Sequence, residues 1–147
     1  SADRKTTTKF RIIGNNTQLL RVDDETTTSL LPTEKEKLKL KISNILDEES
    51  IRIIILQDYD KGVLDKEIIE FTVDLASSKN IPLAVDPKQK NFLFYKNVTL
   101  FKPNLKEINE GLNLAITGEN QQQVEAAVTQ LQTSLNADII MNTLSEN

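Results

Sequence analysis

Three polar clusters, each directly following an apolar strand-like run, are the parts of this chain best suited to do chemistry. The first is Asp58-Tyr-Asp-Lys-Gly62, the second is Asp86-Pro-Lys88, and the third is Lys102-Pro-Asn-Leu-Lys-Glu107. They supply carboxylates, ammonium groups and an amide, which can hold polar substrates, phosphates and hard cations. Because the carboxyl ends of parallel strands line the ligand crevice of an open α/β sheet, the three clusters are predicted to meet at one rim.

The first and third clusters each allow a functional and a structural interpretation. Asp58 and Lys61 can hold a polar substrate or phosphate, with Gly62 freeing the backbone for close approach. They can equally form a solvated turn whose ion pair contributes less than about 1 kcal/mol. Asn104 and Glu107 have the spacing of a helix capping box, but Glu107 can also hold, through water, a Mg²⁺ ion that bridges nucleotide phosphates. The spacing alone leaves both interpretations open.

Composition restricts the chemistry and the partners. The 147-residue chain contains no histidine and no cysteine, which excludes imidazole zinc sites, serine–histidine relays and thiol nucleophiles. A net charge of −4 and a pI near 5.0 argue against a nucleic-acid partner. No apolar stretch approaches the roughly 18 residues of a membrane span, and residues 1–9 lack the apolar segment of a signal peptide. The expected location is the cytoplasm, without a membrane partner.

Two elements are predicted ahead of the clusters. Thr8–Ile13 and Gln18–Asp23 flank Gly14-Asn-Asn16, residues that tolerate positive φ, and this pattern is typical of a β-hairpin. A helix is predicted to begin near Thr33, whose hydroxyl would accept from the amide of Glu36 in a capping box. The predicted buried stripe of this helix consists of Leu38, Ile42, Ile45 and Leu46.

From Ser50 onward, apolar strands alternate with amphipathic helices. This alternation, with nearly continuous apolar strands, indicates a parallel sheet covered on both faces. The predicted strands are Ile51–Leu56, Leu83–Val85, Val98–Phe101 and Asp138–Met141, and the predicted helices are Asp65–Ser78, Asn104–Leu112 and Asn120–Leu135. The first of these helices is predicted to turn Ile68, Ile69, Phe71, Val73 and Leu75 toward the sheet.

In this order and at these strand ends, the clusters resemble the motifs of the ribokinase-like carbohydrate kinases, the PfkB family, and in particular the bacterial heptose phosphate kinases. The matching stretches are Ile54–Leu64, Ile81–Lys88 and Leu100–Glu107, and the hairpin resembles the central hairpin of that family. The family's glycine-rich N-terminal half and its Gly-x-Gly-Asp segment, which carries the catalytic base, have no counterpart in the sequence. The resemblance implies that residues 1–147 form the incomplete, central segment of one kinase domain.

The resemblance also implies a fold, an activity and residue roles. The fold would be a three-layer α/β fragment with a mostly parallel sheet, helices on both faces and an N-terminal hairpin. The parent protein would phosphorylate a sugar or a sugar phosphate, such as a heptose phosphate of lipopolysaccharide precursor synthesis, with ATP and Mg²⁺. The 147 residues alone would be inactive, and the intact protein would form a homodimer. Asp58, Lys61 and Lys88 would contact the substrate or its phosphate, Asn104, Thr143 and Ser145 the nucleotide, and Asn104 and Glu107 the Mg²⁺ ion.

Two positions depart from the family pattern, and two other protein classes compete with the kinase interpretation. Asp60 stands where a small residue is usual, and Gln89 where glycine is common. The negative charge of Asp60 beside Asp58 predicts weaker binding of an anionic sugar phosphate. A non-catalytic α/β module that binds a ligand or a partner is the alternative function. A phospho-acceptor receiver domain fits less well, because it needs a lysine after the last strand and Thr143-Leu-Ser-Glu contains none.

Overall fold

The computed structural model describes residues 4–144, which form a two-stranded sheet, a four-stranded sheet and four α-helices. In chain order the elements are β1 (Thr8–Gly14), β2 (Thr17–Asp24), α1 (Pro32–Glu48), β3 (Ile54–Gln57), α2 (Lys66–Ser78), β4 (Leu83–Asp86), β5 (Leu100–Phe101), α3 (Leu105–Leu112), α4 (Gln121–Leu135) and β6 (Ile139–Ile140). A single 3₁₀ turn, Gln89–Asn91, lies between β4 and β5. Within residues 4–144, no helix is both long enough and apolar enough to cross a bilayer.

The predicted hairpin is confirmed. β1 and β2 pair in antiparallel fashion around Asn15 and Asn16, whose φ angles of 50° and 59° lie in the left-handed region that asparagine tolerates. The register shifts between Ile12 and Ile13, which marks a β-bulge. The ladder places Phe10 opposite Val22 and Ile12 opposite Leu20, and all four side chains are exposed.

The predicted parallel sheet is also confirmed. Its strands run in the order β3-β4-β5-β6, and every neighbouring pair is parallel. One row of residues across this sheet packs into the hydrophobic core together with buried side chains of α2, α3 and α4. The row consists of Leu56, Val85, Phe101 and Ile140.

The opposite face of the sheet differs from the expectation of helices on both faces. Ile55 and Ile139 belong to the adjacent row of the ladder and are 66% and 51% exposed. Because these apolar side chains remain in solvent, residues 4–144 build one of the two helical layers that the strand–helix alternation predicts.

Helix α1 departs from the sequence expectation at its start and along its length. It begins at Pro32, and the carboxylate of Glu34 accepts from the backbone N–H of Leu31 at 2.9 Å, so Thr33 is not its cap. Proline suits the first helical position because its fixed φ is helical and its missing N–H would have no partner there. None of its residues is buried, because α1 packs beside α2 at the edge of the core rather than within it.

Helix α2 turns a slightly different set of side chains inward than the sequence pattern suggested. Ile68, Ile69 and Val73 are buried as predicted. Thr72 and Ala76 are buried as well, whereas Phe71 and Leu75 are only partly covered. The small Thr72 fits the interior because its hydroxyl donates to the carbonyl of Ile68 at 2.7 Å, which satisfies its polar group.

Candidate functional site

The three clusters meet at the carboxyl end of the parallel sheet, as the sequence predicted. Gln57 at the end of β3 pairs with Asp86 at the end of β4, and the backbone N–H of Asp58 donates to the carbonyl of Asp86 at 2.9 Å. Asn104 follows β5 and caps α3. The rim is extended by a parallel bridge between Asn104 and Thr143, which follows β6. Ser145, predicted to contact the nucleotide, lies outside the described residues.

Asp58 is the buried centre of the rim. The residue is only 3% exposed, and its two carboxylate oxygens accept three hydrogen bonds. The donors are Asn91 Nδ2 at 2.8 Å, Tyr95 Oη at 2.7 Å and the backbone N–H of Asp60 at 2.8 Å. These contacts fix the turn after β3 to the connection before β5. The substrate contact assigned to Asp58 stays a prediction, since all three donors belong to the chain itself.

Two titratable groups around Asp58, the hydroxyl of Tyr95 and the carboxyl of Asp60, have raised pKa values. Burial, and then the hydrogen bond to Asp58, raise the pKa of Tyr95 far above its usual value. Burial, and then the charge of Asp58, raise the pKa of Asp60. One carboxylate oxygen of Asp60, Oδ1, is buried without a hydrogen-bond partner among the described residues. Asp60 also adopts a φ of 54°, in the left-handed region that glycine adopts most easily and that aspartate tolerates.

Lys61 extends from the same turn but reaches the loop before α1. Its ammonium pairs with the carboxylate of Glu25. The turn itself is held close by Gly62, whose φ is 74° and where a Cβ atom would lie 2.8 Å from the carbonyl oxygen of Thr27 and closer still to that of Thr28. The backbone N–H of Leu30 donates to the carbonyl of Gly62 at 3.1 Å. Lys61 is therefore at the rim, but its charge is matched by a carboxylate that sequence reasoning did not identify.

Lys88 and Glu107 form the central ion pair of the site. Glu107 lies in the first turn of α3, where its Oε2 accepts from the backbone N–H of Asn104 at 2.9 Å while its own N–H donates to Asn104 Oδ1 at 2.9 Å. This is the predicted capping box. The second oxygen of Glu107, Oε1, pairs with the ammonium of Lys88, and this contact raises the pKa of Lys88. Two residues that the sequence assigned to different ligands are thus brought into direct contact.

The donor set around Glu107 fits a magnesium ion held mainly by water and phosphate. Among the described residues there is no group of three or more acidic side chains that could form a closed metal cage. Mg²⁺ does not require one, because it commonly uses one or two carboxylates and keeps several waters. In Glu107 the oxygen Oε1 already faces a cation, the ammonium of Lys88. The carboxylate is thus oriented by its cap toward a position of positive charge.

The remaining charged pair at the rim is more exposed. Lys102 Nζ lies 3.0 Å from Asp86 Oδ1, and both side chains are more than one-third accessible. Such a pair contributes little to stability. Sequence reasoning missed Asn91, Tyr95 and Glu25, since each reaches the rim from a distant part of the chain and none stands in a local motif.

Comparisons with known proteins agree with this architecture. The chain superposes on ribokinase from Giardia lamblia with a TM-score of 0.66 at 12% identity, over 97% of this chain and 43% of that one. It superposes on the tetrameric inhibited form of phosphofructokinase-2 from Escherichia coli with a TM-score of 0.65 at 20% identity, over 85% and 41%. For Arabidopsis thaliana ribokinase complexed with ribose and ATP the TM-score is 0.54 at 11% identity, over 85% and 38%. The fold is therefore that of the ribokinase-like kinases.

By amino-acid sequence, the chain is similar to bacterial proteins named bifunctional protein HldE. The chain is 34% identical over 144 residues to the bifunctional protein HldE of a Nitratiruptor species, and 36% identical over 144 residues to that of Helicobacter hepaticus. Each alignment covers 98% of this chain, which spans 29% of the length of these curated relatives. No protein-family model matches the chain. The resemblance to the ribokinase-like carbohydrate kinases that the motifs indicated is confirmed.

Proposed function

We propose that residues 1–147 form the central segment of one ribokinase-like domain of a cytoplasmic enzyme that transfers phosphate from ATP to a sugar or sugar phosphate. The observation that carries the proposal is the meeting of Lys88 and Glu107 at the carboxyl ends of neighbouring parallel strands. An ammonium and an oriented carboxylate at one rim are the groups needed to bind a phosphate and a Mg²⁺ ion side by side. The motif resemblance and the sequence relatives support the same interpretation.

Each rim residue has a role in this proposal. Glu107, oriented by Asn104, would hold Mg²⁺ through water, and Asn104 and Thr143 would lie against the nucleotide. When bound, Mg²⁺ neutralises the charge on the phosphates that take part in transfer. Lys88 and Lys61 would attract the anionic group of the substrate. Because phosphoryl transfer depends mostly on positioning and charge neutralisation, a chain without histidine can contribute to it fully.

The finer expectations concern the substrate and the assembly. A heptose phosphate is the proposed substrate, supported by the motif resemblance to the heptose phosphate kinases. The carboxylate of Asp60 beside the rim lysines would reduce their attraction for such an anion. A homodimer is the proposed assembly, and phosphofructokinase-2 from Escherichia coli shows that a protein of this fold can assemble into a tetramer.

A single substitution tests the role of Glu107. In the protein expressed from the complete reading frame that contains this sequence, Glu107→Gln keeps an oxygen that can accept from the N–H of Asn104 but removes the negative charge. We expect the melting temperature to change little, while ATP-dependent phosphorylation of the preferred sugar falls about 10–100-fold. A coupled assay of ADP release across a panel of sugars and sugar phosphates measures the rate.

The matched control is Glu110→Gln, one turn further along α3. The carboxylate of Glu110 lies 3.7 Å from Lys106 Nζ in an exposed pair, so this change removes the same charge from the same helix without touching the rim. Its rate should stay close to that of the unmodified protein. Equal rates for both variants would leave Glu107 as a helix cap alone. Absence of phosphorylation with every sugar would favour a non-catalytic binding module.

A further inference from the structure

The ion pair between Lys88 and Glu107 is strongly asymmetric. The side chain of Glu107 is only 7% exposed, and its oxygen Oε2 is held by the N–H of Asn104 at 2.9 Å. The side chain of Lys88 is 43% exposed and ends in a flexible ammonium group. If the pair opens, it is therefore the lysine that moves. The carboxylate stays in place, aimed at the position that the ammonium has left.

The carboxylates around Lys88 favour a cation at the position that its ammonium occupies. Besides Glu107, the carboxylates of Asp86 and Asp60 lie near enough to stabilise the positive charge of Lys88. Lys102, paired with Asp86 at 3.0 Å, offsets part of this negative charge, but the carboxylates of Glu107 and Asp60 still favour a cation at the position beside Glu107. A divalent cation carries twice the charge of the ammonium and prefers oxygen ligands, of which the carboxylate of Glu107 supplies one and solvent water can supply others.

We propose that the ammonium of Lys88 occupies the place of a divalent metal ion beside Glu107. When the metal ion binds, it displaces Lys88, whose ammonium is then free to bind the anionic group of the substrate. This inference rests on the proposed function and adds a coupling to it. Metal binding and phosphate binding would assist each other, because each takes one partner away from the same ion pair. By linkage, the two effects on affinity must be equal.

The exchange predicts that Lys88 competes with the metal ion. Removing its charge by Lys88→Met should therefore tighten metal binding at Glu107 about two- to fivefold, the range expected for a partly exposed ion pair. Lys88→Arg keeps the competing charge and should restore the affinity of the unmodified chain. The matched control is Lys106→Met, which removes a lysine charge from α3, in a pair with Glu110 away from the rim.

Mn²⁺ is a suitable probe, because it shares the oxygen ligands of Mg²⁺ and its unpaired electrons broaden nearby NMR signals. The protein expressed from the complete reading frame that contains this sequence is titrated with Mn²⁺ while the amide signals of Asn104 and Glu107 are followed, and Mg²⁺ is then added to reverse the broadening. We expect the half-broadening concentration to fall about two- to fivefold for Lys88→Met and to be unchanged for Lys88→Arg and Lys106→Met. Well-dispersed amide spectra establish that each variant is folded.

The outcomes separate the exchange from the function on which it rests. Identical titrations for Lys88→Met and the unmodified chain, with broadening lost only in Glu107→Gln, would overturn the exchange and leave the metal role of Glu107 standing. Broadening in Lys88→Met that Lys106→Met reproduces in full would also overturn it, since charge removal alone would then explain the effect. Absence of specific broadening in every variant would overturn both the exchange and the metal role.

Discussion

The hydroxyl of Tyr95 provides a direct test of the buried cluster beneath the rim. In Tyr95→Phe the ring keeps its place beside Phe101, whose centroid lies 6.0 Å away, while the 2.7 Å hydrogen bond to Asp58 is lost. Tyr95 is completely buried, so no solvent molecule at the surface can take over from the hydroxyl. The carboxylate keeps its two other donors, the amide of Asn91 and the N–H of Asp60.

The magnitude follows from the kind of hydrogen bond that is removed. A hydrogen bond to a charged acceptor contributes about 1.5–3 kcal/mol, compared with about 1 kcal/mol for a neutral pair. We therefore expect Tyr95→Phe to lower the free energy of unfolding by about 1.5–3 kcal/mol. For a chain of this length the corresponding fall in melting temperature is about 3–10 °C.

Urea denaturation followed by circular dichroism measures the change, and the chain contains its own control. Tyr59 is the other of the two tyrosines, it is 53% exposed, and its hydroxyl accepts a hydrogen bond from the side chain of Gln57 at the surface. Tyr59→Phe should change the free energy of unfolding by less than about 0.5 kcal/mol. If both variants unfold at the same urea concentration, the hydrogen bond from Tyr95 to Asp58 does not stabilise the fold.

Two further predictions concern pH and packing. Because the pKa of Tyr95 is raised in the folded chain, the stability that its protonated hydroxyl contributes is complete below about pH 10 and is lost above it, at up to about 1.4 kcal/mol per pH unit. Tyr95→Phe should lack this pH dependence when urea denaturation is repeated at alkaline pH. Equal slopes for the two proteins would contradict the raised pKa. A methyl group at Gly111 would lie 2.7 Å from Cγ of Phe92 and closer to two other ring carbons, so Gly111→Ala should cost about 1–2 kcal/mol after its gain in helix propensity. Gly118→Ala, with its nearest contact at 3.7 Å, should be close to neutral in the same thermal melts, and equal melting temperatures for the two variants would count against the packing argument.

Local patterns in the sequence were enough to predict most of the elements. The asparagine turn of the hairpin, the capping box at Asn104 and the alternation of strands and helices all depend on residues close together in the chain. The predicted start of α1 is wrong because Thr33 and Glu36 imitate a capping box, while the helix has its cap at Leu31 and its first helical position at Pro32, two residues earlier than predicted. The proline is the signal that could have corrected it.

The interior of the site could be predicted only in part. Lys88 and Glu107 are both assigned to the rim by sequence, but their direct contact joins residues 19 positions apart and depends on the orientation of two side chains. The partners of Asp58 are more distant still, since Asn91 and Tyr95 lie 33 and 37 positions away. A polar residue at a strand end is expected to be exposed, and only tertiary packing shows that Asp58 is buried.

The connection between β4 and β5 determines how fast the side chain of Lys88 can change position. An irregular segment of this length would ordinarily open and close independently of the core. Here Phe92, Tyr95 and Val98 are almost wholly buried. The amide protons of the segment are therefore expected to exchange with solvent as slowly as those of the core. Lys88, at the start of this segment, therefore extends from a rigid base and changes position by side-chain rotation alone. Such rotations take picoseconds to nanoseconds, far faster than the opening of a loop.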